Sequence, residues 1–393
     1  MSYKPLYHIP LFLFGFLYYL VLPPCVVSMQ LFATFPGMSF LYQYFSPHFI
    51  PTYAIIITIF CISFIIGAIL PFKYMRKKNI ASDIHYISNK DLFLFASPFW
   101  VAGQYMIITN RQNLFQGYQI DYDTELIGAI ATINTIFLFF FLYSRNIPKN
   151  KQSKWSNFFI TFSIFEFSSI LLGFGSRMYI MIPLIAYIIY LLDQKKIKLR
   201  KLFLQISIAI IFLLGIGIWR LGDSDYTIDA IMYIGVAEPT LTWISAESMF
   251  DKGDLPYIAF PSNFLTSFIN FVPSFLLPDK AELIQPINIS YDSPFGATNI
   301  LVSLISNFGI LGSCTALFLL GFILTSIRIN GKTAFAKTYY YCVCGMIPFQ
   351  LFRDNIAIVN KMLFYNFLIV PLIIFCIEKF ISNKYPKHNE YSI

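Results

Sequence analysis

The chain has 393 residues, of which 57% are hydrophobic, 19% aromatic and only 12% charged, whereas an ordinary soluble domain is roughly 25% charged. This composition excludes a soluble reading and favours one polytopic bundle, since about twenty apolar residues suffice for each helical crossing. The six cysteines, Cys25, Cys61, Cys314, Cys342, Cys344 and Cys376, all lie in apolar stretches, so they imply neither a disulfide framework nor a metal site.

Continuous apolar runs without period-two alternation select helices over barrel strands. In chain order the predicted spans are 9–31, 53–72, 92–110, 126–143, 157–173, 178–192, 202–219, 298–325, 338–352 and 361–378. The first contains Pro23-Pro24 and has no basic flank beyond Lys4, so it does not read as a cleavable signal peptide. Runs 178–192 and 338–352 are short for a crossing. The expected fold is all-α: a single integral membrane domain over 1–393, with about ten spans and one large outer loop at 220–297.

The net charge of +8 resolves once the basic residues are placed. Lys73, Arg76, Lys77, Lys78 and Lys90 share one loop, Arg145, Lys149, Lys151 and Lys154 a second, and Lys195, Lys196, Lys198, Arg200 and Lys201 a third. With Lys4, Arg328, Lys332, Lys337 and the tail lysines, 21 of the 28 basic residues fall on alternate loops. Those loops and both termini are expected to be cytoplasmic. Positive charge is thus an orientation signal, with no nucleic-acid footprint.

Seven basic residues fall on the opposite side, among them Arg111, Arg177, Arg220 and Arg353, against fourteen acidic ones. A bias towards the planar, bidentate guanidinium there suggests that phosphate is held. The loop 220–297 interleaves acids such as Asp223, Asp225, Glu238, Glu247 and Asp292 with Tyr226, Tyr233, Trp243, Tyr257 and Tyr291. Rings beside carboxylates suit carbohydrate, whose C–H faces stack while its hydroxyls donate; the bland reading is an exposed loop with aromatics resting on the bilayer. Within it, 227–249 reads as an amphipathic helix interrupted at Pro239. Residues 256–277, apolar but broken by prolines, read as interfacial or re-entrant.

The four histidines, His8, His48, His85 and His388, lie outside 220–297, which weighs against His-dependent hydrolysis and His-ligated metal. No nucleotide-binding glycine motif is present, since Gly173-Phe174-Gly175-Ser176-Arg177 lacks the strand and the Lys-Ser/Thr of a phosphate loop. Glu166 lies near the middle of 157–173. A carboxylate there costs ~2.5–3.5 kcal/mol on insertion scales, so it either shapes the floor of a cavity or pairs with a neighbouring helix. Arg177, Arg220 and Arg353 end or follow spans on the outer side and would make a basic cup for a lipid diphosphate. For each, snorkelling to the interface, or for Arg353 a local pair with Asp354, is the plain alternative.

The turn GFGSR at 173–177, the loop opening at Trp219-Arg220, and the stretch from Ser293-Pro-Phe-Gly-Ala-Thr-Asn299 to Asn307-Phe-Gly-Ile-Leu-Gly312 resemble the O-antigen polymerases of the Wzy type. That resemblance covers most of the chain in topology. It implies a glycosyltransferase of the bacterial inner membrane that polymerises undecaprenyl-diphosphate-linked oligosaccharide repeat units into O-antigen or capsule-type polysaccharide at the outer face. It further implies no cofactor and no metal, because the lipid-diphosphate leaving group supplies the driving force, and a chain-length regulator as a possible partner. Arg177, Arg220 and Arg353 would then hold the diphosphate, and Asp223, Asp225 or Asp292 would take the acceptor proton. A lipid-linked oligosaccharide flippase is the alternative from another class, and a ligase-like transferase a third. Related ligases rely on a loop histidine that 220–297 lacks.

Overall fold

The structure, a computed structural model, describes residues 5–35, 38, 41–42, 45–74, 89–111, 124–149, 152–221, 228–273, 276–287, 289, 293 and 297–384. Among them there is no strand. The helices are α1 (His8–Ser28), α2 (Ile50–Tyr74), α3 (Asn89–Thr109), α4 (Thr124–Asn146), α5 (Lys154–Gly173), α6 (Met178–Asp193), α7 (Leu199–Leu221), α8 (Ile228–Lys252), α9 (Ser262–Thr266), α10 (Ile300–Asn330), α11 (Ala334–Met346), α12 (Gln350–Arg353) and α13 (Ile356–Phe380). Seven of them, α1 to α5, α10 and α13, are long and apolar enough to cross a membrane among the described residues, and α6 is a shorter apolar helix. All ten predicted runs fall on helix, with 338–352 divided by the turn between α11 and α12.

The chain divides into two units. The first comprises Met1–Lys78, Leu184–Gly331 and Val343–Lys361; the second comprises Asn79–Pro183, Lys332–Cys342 and Met362–Ile393.

Proline placement explains much of the side-chain bonding in each unit. A proline inside a helix lacks the N–H that would bond the carbonyl four residues earlier, and a buried carbonyl needs another donor. In the first unit Pro23 and Pro24 release the carbonyls of Tyr19 and Leu20, which accept from Asn299 Nδ2 at 3.5 Å and Tyr53 Oη at 2.7 Å. Helix α1 therefore continues through the Pro-Pro pair, after a π-helical stretch at Leu17–Val21. Pro239 releases the carbonyl of Gly235, which accepts from Tyr18 Oη at 2.6 Å. In the second unit Pro183 releases that of Tyr179, taken by Asn134 Nδ2 at 3.1 Å and Ser168 Oγ at 3.4 Å. Pro98 does the same for Leu94, whose carbonyl accepts from Ser97 Oγ at 2.9 Å.

The loop helix α8 departs from its prediction. It runs unbroken from Ile228 to Lys252 through Pro239, because Tyr18 answers the released carbonyl. Nor is it amphipathic beyond that point, since every residue from 239 to 250 is buried. Among the described residues of the segment after it, 256–273 and 276–277, there is a short helix and a 3-10 turn, Ser262–Thr266 and Ser267–Phe271, and no crossing helix.

Helices α2 and α10 pack closest in the first unit: a Cβ at Gly67 or Gly321 would collide with the backbone of the other helix, the close approach that small residues allow between membrane helices. Near the far end of α10, Thr325 Oγ1 donates to the Ala68 carbonyl at 2.8 Å and so accepts from His8 Nε2 at 3.0 Å. Beside it Arg328, read from sequence as diffuse orienting charge, is buried and forms a two-pronged ion pair with Asp193, its Nη1 3.0 Å from Oδ2. Its Nε donates to the Pro5 carbonyl at 3.1 Å. The pair fastens the end of α6 to the end of α10 across 135 residues of sequence.

Candidate functional site

In the first unit a polar cluster forms where α1, α8 and α12 meet. Tyr19 comes from the π-helical stretch of α1, Glu238 from the residue before Pro239 in α8, and Arg353 and Asp354 from the turn that ends α12. Arg353 Nη1 lies 3.3 Å from Glu238 Oε1, and its Nε 3.9 Å from Asp354 Oδ1. Tyr19 Oη donates to the same Glu238 oxygen at 3.1 Å. Gln350 Nε2 donates to Asp354 Oδ2. The side chains of Arg353 and Glu238 are 27% and 30% exposed, so protein covers the pair only in part.

The electrostatics follow from this placement. Burial pushes the Asp354 carboxyl up to about 6, against the downward pull of the adjoining Arg353 guanidinium. One partner of the arginine is thus a group that changes charge in the near-neutral range, a property common at functional sites.

Ser293, Thr298 and Asn299, part of the motif that carries the resemblance, build the frame of this cluster. Ser293 Oγ donates to the Thr242 carbonyl at 2.8 Å, and the Asn299 amide donates to Ser245 Oγ at 3.1 Å, both partners on α8. The Thr298 amide donates to the Arg353 carbonyl at 2.9 Å. Asn299 also caps α10 by accepting from the Leu301 amide at 3.0 Å, the bond expected of a good N-cap. Thr298 and Asn299 thereby tie the loop helix, the Arg353 turn and the start of α10 together.

Deeper in the loop helix, Glu247 is 5% exposed and its Oε1 has no hydrogen-bond partner. Burial, together with Asp251 one turn on, pushes its carboxyl up to about 8. Asp251 itself lies 3.8 Å from His48 Nδ1.

The other sequence candidates are placed as follows. Arg177, in the second unit, follows a Schellman end of α5: the amides of Gly175 and Ser176 donate to Leu172 and Leu171 at 2.8 Å each, with Gly175 at φ +86°. The glycine of GFGSR is therefore required by the turn itself. The Arg177 carbonyl accepts from Ile180 and Met181 and so opens α6; its side chain is half-buried. Glu166, in the same unit, accepts from Trp100 Nε1 at 3.0 Å and Gln104 Nε2 at 2.6 Å. Both donors sit one turn apart on α3, so the paired reading of Glu166 is the one the geometry supports. Arg220 lies on the last turn of α7 in the first unit, its side chain outside the described residues. Asp223, Asp225 and Asp292 lie outside the described residues.

Sequence reading named Arg353 but missed Tyr19 and Glu238 as its neighbours. Glu238 had a signal, an acid directly before the one proline inside the loop helix. Tyr19 had none, being 219 residues away and one aromatic among many. Among the described residues no group of three or more His, Cys, Asp or Glu is placed to hold a metal. No protein-family model, no curated protein and no solved structure matches the chain.

Proposed function

We propose that the chain is a membrane glycosyltransferase of the O-antigen polymerase kind, which extends a glycan carried on undecaprenyl diphosphate at the outer face of the bacterial inner membrane. The observation that carries the reading is the partly exposed Arg353–Glu238 pair, set between an apolar helix long enough to cross a membrane and the helix of the largest loop. In this reading about ten helices cross the membrane and both termini are cytoplasmic, as the alternate-loop lysines imply. The acceptor sugar hydroxyl attacks the anomeric carbon of the donor. The bond from that carbon to the diphosphate oxygen breaks, undecaprenyl diphosphate leaves with the electron pair, and the hydroxyl proton passes to a carboxylate. Arg353 stabilises the charge that develops on the diphosphate. Glu238 joins Asp223, Asp225 and Asp292 as a candidate base, being the one whose neighbours are known. Arg177 and Arg220 are candidates for diphosphate contact in their own right.

The test is turnover by the purified protein in liposomes with lipid-linked repeat units. A ladder of longer glycans together with free undecaprenyl diphosphate supports the reading. A second reading, transport of the lipid-linked sugar, is favoured by the break in α10 at Gly309, since discontinuous helices mark substrate sites in transporters. Movement of the lipid across the vesicle with no ladder would establish that one and end the first.

A further inference from the structure

Between α8 and α9 the chain lies against α10 at the point where that helix breaks. The Ile310 and Leu311 amides donate to the Pro256 and Tyr257 carbonyls at 2.9 and 3.1 Å, whereas in a continuous helix they would donate to Ser306 and Asn307. Gly309 makes this possible: its φ is +68°, and a Cβ there would stand 2.6 Å from the Cα and N of Ile258. The backbone of 256–258 is thus fixed at the level of the tenth residue of α10.

That level is a boundary on α10. Above it protein covers the helix, since Ile300 to Ile305, Asn307 and Gly309 are all buried. Below it, exposed residues recur every four positions at Leu311, Thr315, Leu319 and Ile323. This stripe spans about 18 Å at 1.5 Å per residue and, in a helix apolar enough to cross a membrane, faces acyl chains. At its upper end stand Tyr257, Ile258 and Phe260, 75%, 76% and 75% exposed. Just before them come Asp251, Lys252 and Asp254, all exposed and polar. Part of the backbone here is already paired: the Pro256 and Tyr257 carbonyls are bonded to α10, the Ser262 amide donates to the Phe260 carbonyl at 2.8 Å, and Pro261 has no amide proton.

We propose that Tyr257–Phe260 is an interfacial anchor, inserted at the headgroup–acyl boundary of the bilayer and fixing the depth of the large loop. Lipid is the occupant because the backbone of Pro256 and Tyr257 is bonded to α10 at Ile310 and Leu311, where the exposed stripe begins, and because aromatic residues after a polar run are the composition of an interfacial belt. The anchor reaches the candidate site through bonds. Asn307 Oδ1 accepts from the Phe264 amide at 2.6 Å, and Asn360 Nδ2 donates to Ser267 Oγ at 2.8 Å, which ties the segment after the anchor to the helix following the Arg353 turn. The proposal rests on the membrane character of α10 and is independent of the reaction assigned to the protein.

The experiment uses the full-length protein with its six cysteines replaced, carrying one new cysteine at a time: Ile258→Cys, Phe260→Cys, Asp254→Cys as the aqueous reference and Leu319→Cys as the deep reference. Each is labelled with an environment-sensitive nitrobenzoxadiazole dye in phosphatidylethanolamine–phosphatidylglycerol vesicles. At 258 and 260, lipids bearing a shallow nitroxide should quench the dye strongly, and aqueous iodide should quench it several-fold less than at 254. Iodide quenching at 258 and 260 equal to that at 254 would overturn the anchor. So would protection from both quenchers, which would mean that protein covers the segment. A dye at 319 open to iodide would instead refute the membrane placement of α10, a separate failure.

Discussion

Tyr18 donates its hydroxyl at 2.6 Å to the carbonyl of Gly235, the acceptor that Pro239 releases in the middle of the loop helix. The bond joins the first membrane helix to the largest loop. A hydrogen bond of this kind contributes about 1 kcal/mol net, so Tyr18→Phe should lower the thermal midpoint by about 1 °C at this chain length. Pro239→Ala restores an amide to bond Gly235, and in that background Tyr18→Phe should cost less. A double-mutant cycle on thermal unfolding in detergent checks the coupling; strictly additive losses would mean that the hydroxyl does not answer the proline.

At the candidate site, Arg353→Lys should abolish most polymerisation while the protein level holds, since an ammonium cannot make the planar two-point contact of a guanidinium. Tyr19→Phe removes one donor to Glu238 and should reduce turnover far less. Glu238→Gln separates the roles: loss of turnover with donor binding retained fits a base, while loss of binding fits a residue that only positions Arg353. Arg177→Lys belongs in the same assay. Full activity there would make Arg177 an interfacial anchor.

The pH dependence of stability follows from Glu247. Its carboxyl lies near 4.5 when unfolded and is raised to about 8 in the fold by burial and by Asp251. The native state therefore holds the proton more tightly, and stability is full below about 4.5 and falls as pH rises towards 8. Glu247→Gln should flatten this slope and raise the thermal midpoint at pH 8, with little change at pH 5. Asp354, raised to about 6 by burial, adds a smaller decline of the same sign between about 4 and 6.

The Arg328–Asp193 pair offers a sharper contrast. Removing one partner leaves a buried charge without its counterion, a loss of ~3–5 kcal/mol. Either Arg328→Met or Asp193→Leu should thus sharply destabilise the protein, while the double variant should recover much of the loss. Single variants with unchanged melting would show the pair to be solvated.

The helices were legible because each is a long apolar run, and such runs need no partner to declare themselves. Contacts across long separations were not. Arg328 looks like any basic residue in an orienting loop until Asp193 is found beside it, and Tyr19 looks like any interfacial tyrosine until α8 returns to it. The Gly of GFGSR was legible as a turn residue, and the structure gives it a left-handed turn at Gly175; Asn299 was read only as part of the stretch that carries the resemblance, and its N-cap role comes from the structure. For α8, periodicity misled because Phe49 and Tyr53 pack on Trp243 and Phe250, Ser293 and Asn299 bond Thr242 and Ser245, and every residue from 239 to 250 is buried, and Pro239 misled because its released carbonyl is answered from another helix.

The same released carbonyls set a schedule for biogenesis. Tyr53 emerges 33 residues after Leu20, so the first helical hairpin can satisfy that carbonyl almost as soon as it forms. Asn299 follows Tyr19 by 280 residues, roughly 15–60 s of synthesis at ~5–20 residues per second. Throughout that interval the first span carries a peptide oxygen that lipid cannot solvate. Water, the translocation machinery or a temporary neighbour must shelter it, and α1 becomes fully compatible with hydrocarbon only when the chain has been made as far as Asn299.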